Sequence, residues 1–142
     1  LGVYAFESCT KLLMVNMSVV KSVGNYAFSE CTSLNVVEMP LVNSLGDSVF
    51  ELCASLHSFN TLGQLLIPHS LTAIGANAFW GCSGLHGPLF IPSSVVSVGA
   101  LAFYRCTGIT STPEVEDSGV TTVAGNAFDE CCTSLPSGLP SH

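Results

Sequence analysis

Charge is what this 142-residue chain has least of: three Lys or Arg and ten Asp or Glu, so that only 9% of its residues are charged. That is about a third of the usual share and less than a small body surrounded by water normally carries. Basic clusters are missing, which makes nucleic acid and anionic membrane poor partners. The acids are scattered, so the net charge of −7 does not describe an acidic tail. No apolar run approaches the roughly 20 residues that a membrane-spanning helix needs. There is no G-x-S-x-G, H-E-x-x-H, phosphate-binding loop or C-x-x-C, so the common signatures of hydrolases, metalloproteases, nucleotide binders and zinc ribbons are absent. Neither catalysis nor a metal or cofactor is expected.

What the chain has instead is repetition. GVYAFESC at 2–9 returns as GNYAFSEC at 24–31, GDSVFELC at 46–53, GANAFWGC at 75–82, GALAFYRC at 99–106 and AGNAFDEC at 124–131. The repeated phenylalanines are Phe6, Phe28, Phe50, Phe79, Phe103 and Phe128; their first two intervals are equal and the later three are longer. A unit of about 22 residues with some longer intervals reads as a solenoid with insertions at tolerated places. The array is expected over residues 1–135 as six phrases and five full intervals, with an insertion near 54–62 and a Pro/Ser/Gly-rich tail at 136–142. Leu1-Gly2 match Val23-Gly24, so the chain starts inside a repeat, and a fragment or processed form is expected.

Between phrases runs L-x-x-L-x-L, seen in LLMVNMS (12–18), LNVVEMP (34–40), LGQLLIP (62–68) and the end of HGPLFIP (86–92). Its last residues alternate as a strand lining one face should. A second apolar pair, such as Leu71 and Ile74 or Val95 and Val98, leads into Gly and the A-F phrase. One rung cannot bury its apolar face alone; stacking neighbours does so. The repeated Phe and Cys are therefore expected as a buried ladder: the six phenylalanines above with Cys9, Cys31, Cys53, Cys82, Cys106 and Cys131. Stacked strands about 4.8 Å apart lie within disulfide reach, but a small residue repeated in an apolar register is explained by packing, and free thiols are expected. Cys132, outside the register, is the expected exposed thiol or bridge partner. His57, His69, His86 and His142 share no period and are expected as solvated loop residues.

The pattern L-x-x-L-x-L-P followed by [IV]-G-x-x-A-F-x-x-C resembles the BspA-type leucine-rich repeat family over nearly the whole chain. The departures are Val49 for Ala, Ala124 for Gly and Ser18 for Pro. The resemblance implies an α/β solenoid: a right-handed coil with a parallel sheet of about five strands on one face and short helical or irregular A-F-x-x-C segments on the other. It also implies secreted or surface-attached relatives that act in adhesion.

Two candidate protein-binding surfaces follow. The out-facing strand residues are Met14 and Asn16, Val36 and Glu38, Gln64 and Leu66, Pro88 and Phe90, then Glu114 and Glu116, with Pro40, Pro68 and Pro92 closing three of the strands. This is an apolar stripe with carboxylates at one end, of the kind that meets another protein. On the opposite side, the position after each Phe is polar in four rungs but holds Trp80 and Tyr104 in consecutive ones, where interfaces favour aromatic anchors. The expected function is thus a non-enzymatic protein-interaction module of adhesion or surface type. The alternative is a structural subunit packed permanently into a larger assembly, its low charge covered by neighbours.

Overall fold

A computed structural model describes residues 1–60, 63, 65–110, 113–116, 120 and 122–132. Leu62, Gln64, His142 and the 136–142 tail lie outside the described residues. The described residues hold short strands only: β1 (Met14–Asn16), β2 (Ser22–Val23), β3 (Val36–Glu38), β4 (Ser44–Leu45), β5 (Ala73–Ile74), β6 (Phe90–Ile91), β7 (Ser97–Val98), β8 (Glu114–Val115) and β9 (Thr122–Val123). All pair in parallel, rung upon rung.

The five-stranded sheet is not built from the L-x-x-L-x-L segments. It runs β2-β4-β5-β7-β9 and comes from the second apolar pair, whose Val23, Leu45, Ile74, Val98 and Val123 point inward and are buried. The L-x-x-L-x-L side is instead split into two pairs, β1-β3 and β6-β8. The cause lies in the third rung. Ser58 bridges back to Val36 while Leu66 bridges forward to Phe90, so the stretch between them interrupts the face. Before that point the repeat holds: Leu56 N donates to Cys53 O at 3.0 Å, as Leu34 N does to Cys31 O at 3.0 Å and Leu85 N to Cys82 O at 3.1 Å. Leu56 therefore stands at the corner position of Leu34, the place that the motif had assigned to Leu62.

Length varies on this side alone. The stretches from Val20 to Leu34, Val42 to Leu56, Leu71 to Leu85 and Val95 to Ile109, each ending at a corner, are all equally long. The return stretches from corner to apolar pair are not. Leu12 to Val20 and Leu34 to Val42 are the shortest, Leu56 to Leu71 is nearly twice as long, and Leu85 to Val95 and Ile109 to Val120 fall between.

The third side is the A-F-x-x-C segment, and no helix forms there among the described residues. Successive segments carry left-handed backbone at two places: Tyr4 and Ser8 in the first rung, Tyr26 and Glu30 in the second, Ser48 and Leu52 in the third. Such residues cannot continue a right-handed helix, and each costs about 1–2 kcal/mol unless it is glycine. What they gain is a ladder to the next rung: Phe28 N donates to Val49 O at 2.9 Å, and Phe50, Phe79 and Phe103 N donate to Ala78, Ala102 and Ala127 O at 2.8 Å.

The ladder stacks the rings. Successive Phe centroids lie 5.4, 5.5, 5.5, 5.1 and 5.3 Å apart, inside the attractive range for offset aromatic pairs. Phe28, Phe50, Phe79, Phe103 and Phe128 are buried, as are Cys31, Cys53, Cys82, Cys106 and Cys131. Phe6 and Cys9 depart from the expected ladder. Phe6 stacks on Phe28, yet it is 41% exposed and Cys9 is exposed, because no rung among the described residues lies against their other side.

Close approach explains the recurring glycine. A Cβ on Gly99 would lie 2.5 Å from Ala76 N and 2.7 Å from Gly75 C, both backbone atoms of the preceding rung; one on Gly2 would meet nothing within 4 Å. The sixth rung alone carries a side chain at this position, Ala124, and nothing in the structure explains why that rung accepts it. Gly99→Ala is expected to cost about 1–3 kcal/mol, read as a lower urea midpoint, while Gly2→Ala leaves the midpoint unchanged. Equal effects at the two glycines would remove close packing as the reason for the repeat.

Candidate protein-binding face

Along the L-x-x-L-x-L side the backbone alternates. Leu65 and Ile67 point in and Leu66 points out; Leu89 and Ile91 are buried and Phe90 stands between them. Leu66 is 46% exposed and Phe90 43%. Of the other residues read as outward, Met14, Asn16, Pro88, Glu114 and Glu116 are exposed and Val36 and Glu38 half-buried. Pro92, grouped with them, is instead buried. Its carbonyl accepts Val95 N at 3.0 Å, the same turn that Met39 makes with Val42, so Pro92 corresponds to Met39 and not to Pro40.

The pairings Leu66 with Phe90 and Phe90 with Glu114 place two apolar side chains and a carboxylate on successive rungs. Together with Pro68, His69 and Glu116 they line a groove of about 580 Å³, within the range of clefts that bury a ligand. A smaller hollow of about 260 Å³ adjoins it, sharing Leu66 and Pro68 and reaching Glu38 and Phe59. No Lys or Arg is among the described residues lining either. Glu116 is held at one end, accepting from Ser93 N at 3.3 Å with His69 Nδ1 at 3.9 Å. At the other, Asn16 Nδ2 donates to Glu38 at 2.6 Å while Asn16 Oδ1 accepts Ser18 N at 2.9 Å. The surface is therefore an apolar floor between carboxylates.

A family profile described as "BspA type Leucine rich repeat region", in six copies, matches residues 60–137. The chain belongs to the BspA-type leucine-rich repeat family. No curated protein matches it. Among solved structures, a leucine-rich repeat protein of T. pallidum superposes with a TM-score of 0.69 at 23% identity, over 96% of this chain and 64% of that one. A leucine-rich repeat protein from Bacteroides ovatus gives 0.68 at 31% identity, over 84% and 31%. A leucine rich cell surface protein from Faecalibacterium prausnitzii gives 0.66 at 25% identity, over 99% and 44%. The chain thus spans less than two thirds of each of these relatives.

On the opposite side of this BspA-type array the structure brings Trp80 and Tyr104 together, and onto each other. Their rings stack at 5.9 Å, and the Arg105 guanidinium lies 5.2 Å over the Tyr104 ring. Arg105 Nε donates to Glu130 at 2.8 Å, which holds the Glu130 carboxyl below its ordinary range and raises Arg105. Both aromatic residues are half-buried. Tyr4 and Tyr26 stack in the same manner at 5.1 Å, so rung-to-rung stacking is a general use of aromatic side chains in this fold.

His57 and His86 are not free loop residues. Their rings stack at 6.1 Å, and each Nδ1 donates to the carbonyl two positions back, Ser55 O at 3.2 Å and Gly84 O at 2.6 Å. Asn35, one rung earlier, directs its side-chain amide at Ser33 O in the same way. The three side chains brace the same corner, a role that only their equal spacing from the preceding Cys could have disclosed.

The thiols also do more than fill space. Cys31, Cys53, Cys82 and Cys106 Sγ donate to the carbonyls of Phe6, Phe28, Phe50 and Phe79 in the rung before, at 3.0, 3.1, 3.0 and 3.0 Å. Each carbonyl already accepts the amide of its own rung's Cys, as Phe28 O does from Cys31 N at 3.2 Å. A small side chain able to donate is needed at this position, and Cys meets both requirements. All seven cysteines are free. Burial pushes the thiols of Cys31, Cys53, Cys82, Cys106 and Cys131 above the ordinary range.

The sign of the pH effect follows. An unfolded thiol ionises near pH 8.5, and a thiol raised by folding holds its proton beyond that point. Stability is then full below about pH 8.5 and falls above it, by about 1.4 kcal/mol per pH unit for each thiol still protonated in the fold. In reducing buffer the protein is expected to unfold cooperatively between about pH 9 and 10.5, with Cys82→Ala flattening the slope by one proton; a stability flat to pH 10 would contradict the ladder. At neutral pH iodoacetamide is expected to modify exposed Cys9 and half-buried Cys132 rapidly, and the other five only as fast as the chain opens. Mass mapping of modified peptides reads this directly.

Proposed function

We propose that this chain is a non-enzymatic protein-interaction module whose partner sits on the L-x-x-L-x-L side, over Leu66 and Phe90. The observation that carries this is the groove itself: two large apolar side chains, paired on adjacent rungs and nearly half exposed, where folding alone would have placed polar residues. Met14 and Val36, paired in β1 and β3, extend the apolar surface toward the first rungs. The carboxylates of Glu38, Glu114 and Glu116 form its rim, and Pro88, exposed two residues before Phe90, is read as part of the same face. The stacked pair Trp80 and Tyr104 is proposed as a second, lesser contact. An extracellular or surface location is part of this reading and is supported by the family and by the description of the Faecalibacterium relative as a cell surface protein. No helix among the described residues is long and apolar enough to cross a membrane.

Photo-crosslinking tests the assignment of the face. With a benzophenone amino acid at position 66 or 90, discrete crosslinked partners are expected from surface extracts of the source organism, and a weaker yield of the same partners from the probe at position 104. Crosslinks from position 104 alone would move the binding surface to the opposite side.

A second reading, a subunit fixed in a larger assembly, draws on a different observation. Beyond the groove, Val19, Leu41 and Val96 are exposed in a chain with little charge to keep it dissolved. Light scattering after gel filtration in reducing buffer separates the two. The interaction-module reading expects a monomer near 14.8 kDa; aggregation of the chain expressed alone would favour the assembly.

A further inference from the structure

We propose that the segment occupying this groove is an extended peptide with Lys or Arg on both sides of an apolar core, the two cations about four residues apart. The inference rests on the reading of the strand side as the binding surface and adds the chemistry of what it binds. The floor of Leu66, Phe90 and Pro68 asks for apolar side chains. The rim asks for positive charge: Glu114 and Glu116 are exposed at one end, Glu38 reaches the other, and no Lys or Arg among the described lining residues answers them. An anionic segment would place like charges together over a dry floor, which opposes binding. A purely cationic segment would leave Leu66 and Phe90 in water.

The spacing follows from the rungs. Glu38 and Glu114 belong to the second and fifth rungs, three steps apart, or about 14 Å at the spacing of paired strands. An extended peptide covers that in about four residues. The Glu114 carboxylate is the most available of the three, since Glu116 already accepts Ser93 N and Glu38 already accepts Asn16. It is expected to carry most of the charge preference.

Fluorescence anisotropy with three labelled synthetic probes tests this: Lys-Leu-Phe-Ala-Lys, Glu-Leu-Phe-Ala-Glu and Lys-Ser-Gly-Ser-Lys. The first is expected to bind at least about tenfold more tightly than either other, and more weakly as salt screens the rim. Glu114→Lys combined with Glu116→Lys should turn the preference toward the acidic probe, and Phe90→Ser or Leu66→Ser, each checked for an unchanged melting temperature, should weaken the first probe by about tenfold or more. No binding of the first probe, or equal binding of the first two, overturns the proposed chemistry. If equal binding is nonetheless lost in Phe90→Ser, the strand side stands as the binding face and only the partner's charge is wrong. Binding of the first probe that ignores all these substitutions sinks the face itself.

Discussion

Backbone hydrogen bonds between successive rungs hold this chain together, and they impose one pitch on every side chain that the rungs carry. On the A-F-x-x-C side the amides of alternate residues donate to the next rung, as Phe50 N does to Ala78 O. The Phe rings must then stack at about the ladder spacing, which they do at 5.1 to 5.5 Å. Cys thiols reach back to the Phe carbonyls for the same reason, and Gly24, Gly46, Gly75 and Gly99 stand where the pitch brings backbone against backbone. Change the pitch and all three features fail together. That is why the phrase recurs as a block and not as independent residues.

The same ladder explains a local cost. Residues such as Tyr26, Glu30 and Leu52 hold left-handed backbone without being glycine, against their own preference by about 1–2 kcal/mol each. A helix would satisfy those residues but would turn the amides inward along its own axis and leave the neighbouring rungs unbonded. Because a rung is too small to bury its apolar face alone, the inter-rung bonds win. Within the A-F-x-x-C segments only Gly81 takes this conformation at no steric cost.

Much of this is legible in residues that repeat. The period, the Phe stack and the Cys register follow from A-F-x-x-C alone, and the inward direction of Val37 and Ile91 from the alternation around them. What escapes has physical reasons. The strands of the five-stranded sheet are two residues long, too short to show alternation, so the longer L-x-x-L-x-L runs predict the sheet in their place. Leu62 reads as the corner of the third rung because LGQLLIP copies the motif by eye, but the Cys-x-x-Leu turn assigns the corner to Leu56. The exposure of Phe6 and Cys9 depends on what lies beside a rung, which a repeat pattern cannot express. Nor does any letter mark a left-handed Glu or Leu.

The division between constant and variable sides bears on the proposed site. The stretch of each rung from the second apolar pair through the Phe and Cys to the next corner keeps a fixed length, because it carries the ladder, the ring stack and the thiol bonds at once. The strand side meets the ring stack through Phe59, whose ring lies 5.3 Å from that of Phe79, and its length nearly doubles between the second rung and the third. In the third rung its pairing can even pass from Ser58 to Leu66 without disturbing the core behind it. Its inward residues, such as Leu65, Ile67, Leu89 and Ile91, are packed in the core, while Leu66 and Phe90 point outward and lie outside it. Two large apolar residues on successive rungs of the side whose length varies, next to carboxylates the core does not use, are what supports the proposal of a partner on this side.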